Sequence, residues 1–125
     1  MIGYITLGTR DLQRAAKFYD AVLAELGGKR FMEMERSIAW SAGPSGGGIG
    51  VGMPFDGKPA TVGNGVMVAL AAGSKEKVDA LYKKAIEMGG TDEGPPGARS
   101  PQFYAAYFRD LDGNKLSAFH ATHGG

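Results

Sequence analysis

The sequence predicts an α+β fold built from two tandem modules, each with the element order strand–helix–strand–strand–strand. A short apolar strand followed by an amphipathic helix opens the chain, and the same pair recurs 63 positions later. Nine of the 21 glycines fall between Gly43 and Gly65, which indicates a tightly turning segment between the two copies. We expect a single domain of residues 1–125, with module one at about 1–56, a connector at about 57–64 and module two at about 65–125.

The first module is predicted from a change in hydrophobic period. Residues 2–7 form a short apolar run with β-branched side chains, which is typical of a strand. From residue 12 to residue 26, apolar side chains recur at steps of three and four, which predicts an amphipathic helix capped by Thr9 or Asp11. Three more short strands are expected around residues 30–34, 37–42 and 48–53.

The second module repeats this order. A strand is expected over residues 66–70, and Ser74 is expected to cap a helix whose apolar stripe runs from Val78 to Ile86. Two further strands, over 103–108 and 115–120, flank a predicted turn. Each module leaves an apolar sheet face that a partner module or a second chain must cover. Two such sheets curled toward each other leave a concave surface suited to a small ligand.

The composition excludes several classes of function. The 125 residues include 14 basic and 13 acidic side chains, so the chain lacks the positive charge of a nucleic-acid or anionic-membrane binder. Without cysteine it has no disulfide and no thiolate nucleophile. No apolar run approaches the roughly 18 residues of a membrane span, and the first residues lack a signal-peptide pattern. We expect a soluble, cytoplasmic protein with neither nucleic acid nor membrane as a partner.

No motif for phosphate or metal binding is complete. Residues 52–59 match a phosphate-binding loop except for Pro59, which replaces the Ser or Thr that contacts magnesium. The only histidines, His120 and His123, would chelate a metal only with a third ligand from elsewhere, and a solvated tail is the more frequent arrangement.

Two segments of the chain carry a family resemblance. Residues 3–12 (GYITLGTRDL) with 15–19 (AAKFY), and residues 104–116 (YAAYFRDLDGNKL), resemble the first module and the ending of the vicinal oxygen chelate superfamily, with Leu111 where proline is common. This superfamily includes glyoxalase I, bleomycin-resistance proteins and extradiol dioxygenases. The resemblance implies a curved, eight-stranded, incomplete barrel. It selects no activity, because the scaffold hosts isomerases, dioxygenases, lyases, epimerases and drug-binding proteins.

The resemblance also implies where a metal ion would bind. Metal-dependent members hold a divalent ion with four residues on the inner strands, and these positions fall on Tyr4, near Met53, on Met67 and on Ser117. Phenol, thioether and hydroxyl groups do not suit a hard divalent cation, which prefers imidazole and carboxylate. We therefore expect no metal and no other cofactor. The glycines of the fourth-strand region suggest either a thin pocket wall or close backbone packing.

Candidate ligand contacts follow from strand parity and from the family map. Tyr4, Trp40 and Phe119 are expected to face the inner concavity, where aromatic rings supply apolar area with a polar handle, although core packing is the more frequent arrangement for a residue such as Phe119. Arg99 is expected on a long loop before the seventh strand, either holding a ligand carboxylate or phosphate or exposed to solvent. No catalytic residue is assigned. The candidate ligand-binding residues are Tyr4, Trp40, Met67, Arg99 and Ser117.

Three functions are compatible with these residues. The favoured one is a glyoxalase- or bleomycin-resistance-like homodimer that binds a small organic ligand in a metal-free pocket. The second is a lyase or isomerase of the glyoxalase type acting on a thiol adduct or carbonyl compound, for which Glu33 and Glu35 are the nearest candidate bases. The third is a dimerising structural module whose pocket is filled by its own side chains.

Overall fold

The structure is a computed structural model that describes residues 1–44 and 46–122. His123 therefore lies outside the described residues. Over the described part the elements are β1 (Tyr4–Gly8), α1 (Leu12–Ala24), β2 (Lys29–Glu33), β3 (Ser37–Ser41), β4 (Gly48–Gly52), β5 (Val68–Ala71), α2 (Lys75–Glu87), β6 (Thr91–Ser100), β7 (Phe103–Arg109) and β8 (Lys115–Ala121). No helix in this part of the chain is long and apolar enough to cross a membrane.

The strands form two four-stranded sheets with the same internal order. The first sheet has the order β1-β4-β3-β2 and the second has the order β5-β8-β7-β6. In each sheet the first strand runs parallel to its neighbour, and the remaining pairs are antiparallel. The predicted α+β fold of two similar modules is thus confirmed, with sheets that curve without closing into a barrel.

Both helices begin where the sequence predicts. The carboxylate of Asp11 and the hydroxyl of Ser74 each accept a hydrogen bond from the backbone N–H three residues further on, as expected of N-caps. Helix α1 ends at Ala24, and Gly27 takes a φ of +76° just after it. A Cβ atom at Gly28 would lie 2.9 Å from the Leu23 carbonyl oxygen, so glycine is needed for this close approach.

The hydrophobic core lies on the helical side of both sheets. Helix α1 packs on the first sheet, α2 packs on the second, and the two helices contact each other. Alternation along the strands sends every second side chain into this core and the others to the face that carries no helix. The fully buried large side chains of the core include Phe18, Tyr19, Val22, Trp40, Val51, Val78, Leu81, Phe108 and Leu116.

Strand β6 corrects one prediction. Arg99 was expected on a long loop, but residues 91–100 form a strand that pairs with β7. The strand contains Pro95 and Pro96, which argue against a central strand but are tolerated at a sheet edge. Its register shifts three times against β7, and such bulges accommodate the prolines and glycines.

The two modules are joined by the helices and by the turn between β7 and β8. Thr9 donates a hydrogen bond of 2.6 Å from Oγ1 to Oδ2 of Asp112, and Asn114 donates one of 3.0 Å from Nδ2 to the Gly8 carbonyl oxygen. No Cα atom of β1 lies within 8 Å of a Cα atom of β5. The first strand of each module therefore has one edge without a strand partner among the described residues.

Candidate ligand-binding site

The face of the first sheet that carries no helix is lined by glycines. In β4, Ile49 and Val51 point into the core, so Gly48, Gly50 and Gly52 lie on the opposite face. We call these three residues the glycine floor. The neighbouring residues on this face also have small side chains. Gly50 pairs with Ala39 of β3 on one side and with Thr6 of β1 on the other.

Two aromatic side chains flank the glycine floor. Tyr4 pairs with Gly48 in the parallel ladder, and 74% of its surface is exposed. From the other side, Phe31 of β2 reaches over the floor, since a Cβ atom at Gly48 would lie 3.2 Å from its Cε1 atom. Phe31 was missed by the sequence analysis because a bulge between Arg30 and Met32 breaks the alternation that would have revealed its face.

The face of the second sheet without a helix brings together polar and cationic side chains. Ser117 pairs with Ala69 on one side and Tyr107 on the other, and it is 1% exposed. The Arg99 guanidinium lies 5.3 Å from the centre of the Tyr107 ring, and the Lys115 amine lies 5.8 Å from it. Ser117 and Arg99 were predicted as ligand contacts, whereas Tyr107 and Lys115 were not.

Trp40 lies on the face opposite to Tyr4. It is 1% exposed, it packs with Tyr19 at 5.7 Å between ring centres, and its Nε1–H donates to Oδ1 of Asp20 at 2.8 Å. Trp40 pairs with Ile49, and both point toward α1. Trp40 therefore does not share a face with Tyr4 as expected, because alternation showed that Ile38 and Trp40 share a face without showing which face the helix covers. Its role as a ligand contact stays a prediction.

An apolar cavity of about 510 Å³ separates β1 from β5. It runs along the strand edges, with the end of α1 and residues of both sheet faces, Gly48 and Ala69 among them, in its wall. Two of the predicted ligand contacts, Trp40 and Met67, line this cavity together with Gly48 of the glycine floor. Other side chains in its wall are Ile5, Leu26, Ile49 and Val68.

An ion pair of Arg30 connects β2 to α1. Arg30 donates to both carboxylate oxygens of Asp20, at 2.9 and 2.6 Å, and to Glu33 at 2.8 Å. The hydrogen bond from Arg30 is the main reason why the pKa of Asp20 is lowered, and the Trp40 indole adds to the effect. Glu33, one of the two candidate bases, is thus engaged in a surface ion pair.

Comparison with known proteins assigns the family. The model of the Glyoxalase/Bleomycin resistance protein/Dioxygenase superfamily matches residues 1–117. The chain belongs to this superfamily. A search of curated proteins gave no significant match. The chain resembles a glyoxalase/bleomycin resistance protein from Albidiferax ferrireducens T118, with 39% identity, coverage of 98% and 99% of the two chains and a TM-score of 0.90.

Other solved structures share the fold at lower identity. A hypothetical protein from S. aureus is 25% identical, with coverage of 97% and 96% of the two chains and a TM-score of 0.71. A lactoylglutathione lyase from Agrobacterium tumefaciens is 20% identical, with coverage of 96% and 92% and a TM-score of 0.70. The latter likeness concerns the fold alone.

The residues predicted to stand at the metal positions of metal-dependent superfamily members are unsuitable donors. They are Tyr4, Met67 and Ser117, with Met53 directly after β4. A phenol, two thioethers and a hydroxyl do not fit a hard divalent cation. Within residues 1–44 and 46–122, no three His, Asp or Glu side chains come together as a metal-binding group.

Proposed function

We propose that this superfamily member binds a small organic ligand, without a metal ion, against the faces that carry no helix. The glycine floor is the observation that carries the proposal. Three glycines alternate on one face of β4 beside the exposed aromatic residues Tyr4 and Phe31. A Cβ atom at any of them would lie 3.2–3.3 Å from a neighbouring atom, so the strand presents bare backbone on this face, as at sites that a ligand or another backbone approaches closely. Ser117 and Arg99 on the second sheet supply polar groups for orientation.

We further propose a homodimer in which the two faces meet. Within one chain β1 and β5 do not pair, and their free edges are flanked by the exposed apolar residues Ile2, Val66 and Met67. Exposed strand edges favour pairing with another chain. A twofold axis would place β1 of one subunit beside β5 of the partner subunit, twice per dimer. Each ligand site would then combine one subunit's glycine floor and Tyr4 with Ser117 of the partner subunit.

A thermal-shift screen with small metabolites in the presence of EDTA tests this function. We expect at least one class of compound to raise the melting temperature, because a ligand that binds only the folded state stabilises it. Gly50→Ala adds a Cβ atom to the floor, 3.3 Å from the Ile38 carbonyl oxygen, and should reduce the affinity for that compound in a variant that circular dichroism shows to be folded. Gly3→Ala is the matched control, since a Cβ atom there meets nothing within 4 Å. Binding that is lost with EDTA and restored by zinc would contradict the metal-free site.

The same screen separates the alternatives. A dimerising structural module predicts no shift with any compound. A lyase or isomerase predicts turnover of a bound thiol adduct or carbonyl compound, and it needs a general base on these faces. Because Glu33 pairs with Arg30 and Glu35 lies exposed beyond β2, neither supplies an argument for that reaction. A cytoplasmic location remains a prediction.

A further inference from the structure

Two cations on the second sheet surround one aromatic ring on the face without a helix. The Arg99 guanidinium and the Lys115 amine lie 5.3 and 5.8 Å from the centre of the Tyr107 ring. Among the described residues neither cation has an ion-pair partner, whereas the adjacent Arg109 pairs with Glu93 at 2.6 Å. The positive charge of Arg99 and Lys115 is therefore not neutralised by the protein.

The backbone of β6 holds the Arg99 guanidinium in place. Nη1 donates to the Gly97 carbonyl oxygen at 2.9 Å, and Nη2 donates to the Pro95 carbonyl oxygen at 2.8 Å. A guanidinium has five N–H donors, so these two bonds leave three for another acceptor. An arginine that is already oriented loses little conformational entropy when it binds a ligand.

Two glycines make room for this side chain. A Cβ atom at Gly97 would lie 3.0 Å from Nη1 of Arg99, and a Cβ atom at Gly94 would lie 3.4 Å from Nη2 and 3.1 Å from the Tyr107 ring. Larger residues at either position would push the guanidinium away from the ring. Gly94 and Gly97 of β6 thus leave space for the Arg99 guanidinium beside the Tyr107 ring.

The side chains on one face of strand β8 change from charged to apolar along the strand. Lys115, Ser117 and Phe119 alternate along the same face, because Leu116 and Ala118 between them point into the core. Phe119 stacks on Phe103 with 5.6 Å between ring centres. A cation, a hydroxyl and an apolar ring therefore follow one another along the strand.

We infer that this face selects a small organic anion, with a carboxylate or phosphate group bound by the free N–H donors of Arg99, the charge of Lys115 adding to the attraction, and an apolar body toward Phe119. The inference rests on the proposed function, since it names the ligand class of the same site. Charge-assisted hydrogen bonds from a guanidinium and an amine favour an oxyanion over a neutral isostere.

Calorimetric titration with benzoate, phenyl phosphate and neutral benzamide tests this inference. We expect an anion to bind about tenfold or more tightly than benzamide, since one charge-assisted contact is enough for that ratio. Preference between benzoate and phenyl phosphate distinguishes a carboxylate from a phosphate ligand. Added NaCl should weaken anion binding and leave benzamide binding unchanged.

Variants at the two cations provide the controls. Arg99→Gln and Lys115→Gln should each lower anion affinity about fivefold or more while leaving benzamide affinity unchanged. Lys115→Arg retains the charge and should retain binding. Lys83→Gln, an exposed lysine on α2, removes the same charge elsewhere and should have no effect. Circular dichroism of each variant verifies that it is folded.

The outcomes separate this inference from the proposed function. If benzamide binds as tightly as the anions and the Gln variants change nothing, the selection of an anion is wrong while a metal-free ligand site stands. If Gln variants and Lys83→Gln weaken anion binding equally, the effect is one of net charge and the inference is likewise wrong. If none of the three probes binds and the metabolite screen also yields no ligand, both are wrong.

Discussion

The phenol of Tyr19 donates a hydrogen bond of 2.6 Å to Oδ2 of Asp110, and this bond connects the helix of the first module to the β7–β8 turn of the second. Asp110 is buried, and its other hydrogen bonds come from Asp112 and Asn114 within the turn. Because the two sheets do not pair within the chain, contacts of this kind fix how the modules are arranged.

Removing this phenol should destabilise the protein. Tyr19→Phe leaves the buried Asp110 carboxylate without one of its donors, which we expect to cost about 1–3 kcal/mol of unfolding free energy. Urea unfolding measures the change. Tyr82→Phe is a matched control, because its hydrogen bond to Asp92, at 2.8 Å, is exposed and should contribute less than about 1 kcal/mol. Equal losses in the two variants would contradict this role of Tyr19.

Alkaline pH should weaken the fold through the same residue. Burial, and next the charge of Asp110, raise the pKa of Tyr19 well above its ordinary value of 10.0. Above pH 10 the unfolded chain loses this proton while the folded chain keeps it, so stability falls as the pH rises. The slope contributed by this one group is at most about 1.4 kcal/mol per pH unit.

Unfolding free energies measured on both sides of pH 10 verify this alkaline dependence. Tyr19→Phe should lose less stability than the wild type over that interval. Some loss should persist, because burial first and the hydrogen bond to Asp92 second raise the pKa of Tyr82, and the hydrogen bond to Asp79 raises the pKa of Tyr104. Identical alkaline slopes in wild type and Tyr19→Phe would show that Tyr19 does not carry the effect.

Asp20 should stabilise the first sheet at neutral pH. It accepts hydrogen bonds from Arg30 and Trp40, and the Arg30 bond is the main cause of its lowered pKa. Since a lowered carboxyl pKa contributes stability above the unfolded value, Asp20→Asn should cost about 1 kcal/mol at pH 7, a figure reduced for partial exposure. The difference from wild type should shrink as the pH falls below 3.8, the ordinary pKa of an aspartate carboxyl.

Trp40 fluorescence during urea unfolding at pH 7 and at acidic pH gives this comparison directly. Its indole donates to Asp20 and lies in the core that unfolds. A penalty for Asp20→Asn that is the same at both pH values would mean that the charge of Asp20 does not contribute.

A charge at the edge of β1 should weaken the proposed dimer. Ile2→Lys places an amine beside this free strand edge, where 66% of the Ile2 surface is exposed in the single chain. Lysines at strand edges oppose pairing with other chains. Sedimentation equilibrium should show a raised dissociation constant, while Phe55→Lys, at a fully exposed position after β4, should leave it unchanged. A wild-type monomer at all concentrations would contradict the dimer.

The local features of the fold could be predicted from the sequence. Apolar periodicity located both helices, and Asp11 and Ser74 cap them as expected. Strand β6 was not predicted, because it contains Pro95 and Pro96. Proline is tolerated in an edge strand but not in a central one, and the sequence alone does not show which strand lies at the edge.

The site was harder to predict than the fold. Alternation groups residues by face, but the position of the helix decides which face is buried, so Trp40 was placed on the wrong side. Tyr107 and Lys115 become neighbours of Arg99 only through the pairing of β6, β7 and β8 and the bulges of β6. Bulges shift register by single residues, and a repeat inferred from spacing does not reveal them.

The central claim is a metal-free ligand site formed by the glycine floor and the second-sheet face. A crystal structure of the protein with the strongest compound from the metabolite screen, grown in EDTA, tests it most directly. We predict ligand density within about 4 Å of both Gly50 and the partner subunit's Tyr107. Density in the cavity beside Leu26 and Trp40 instead, or a metal ion bridging ligand and protein, would contradict the account.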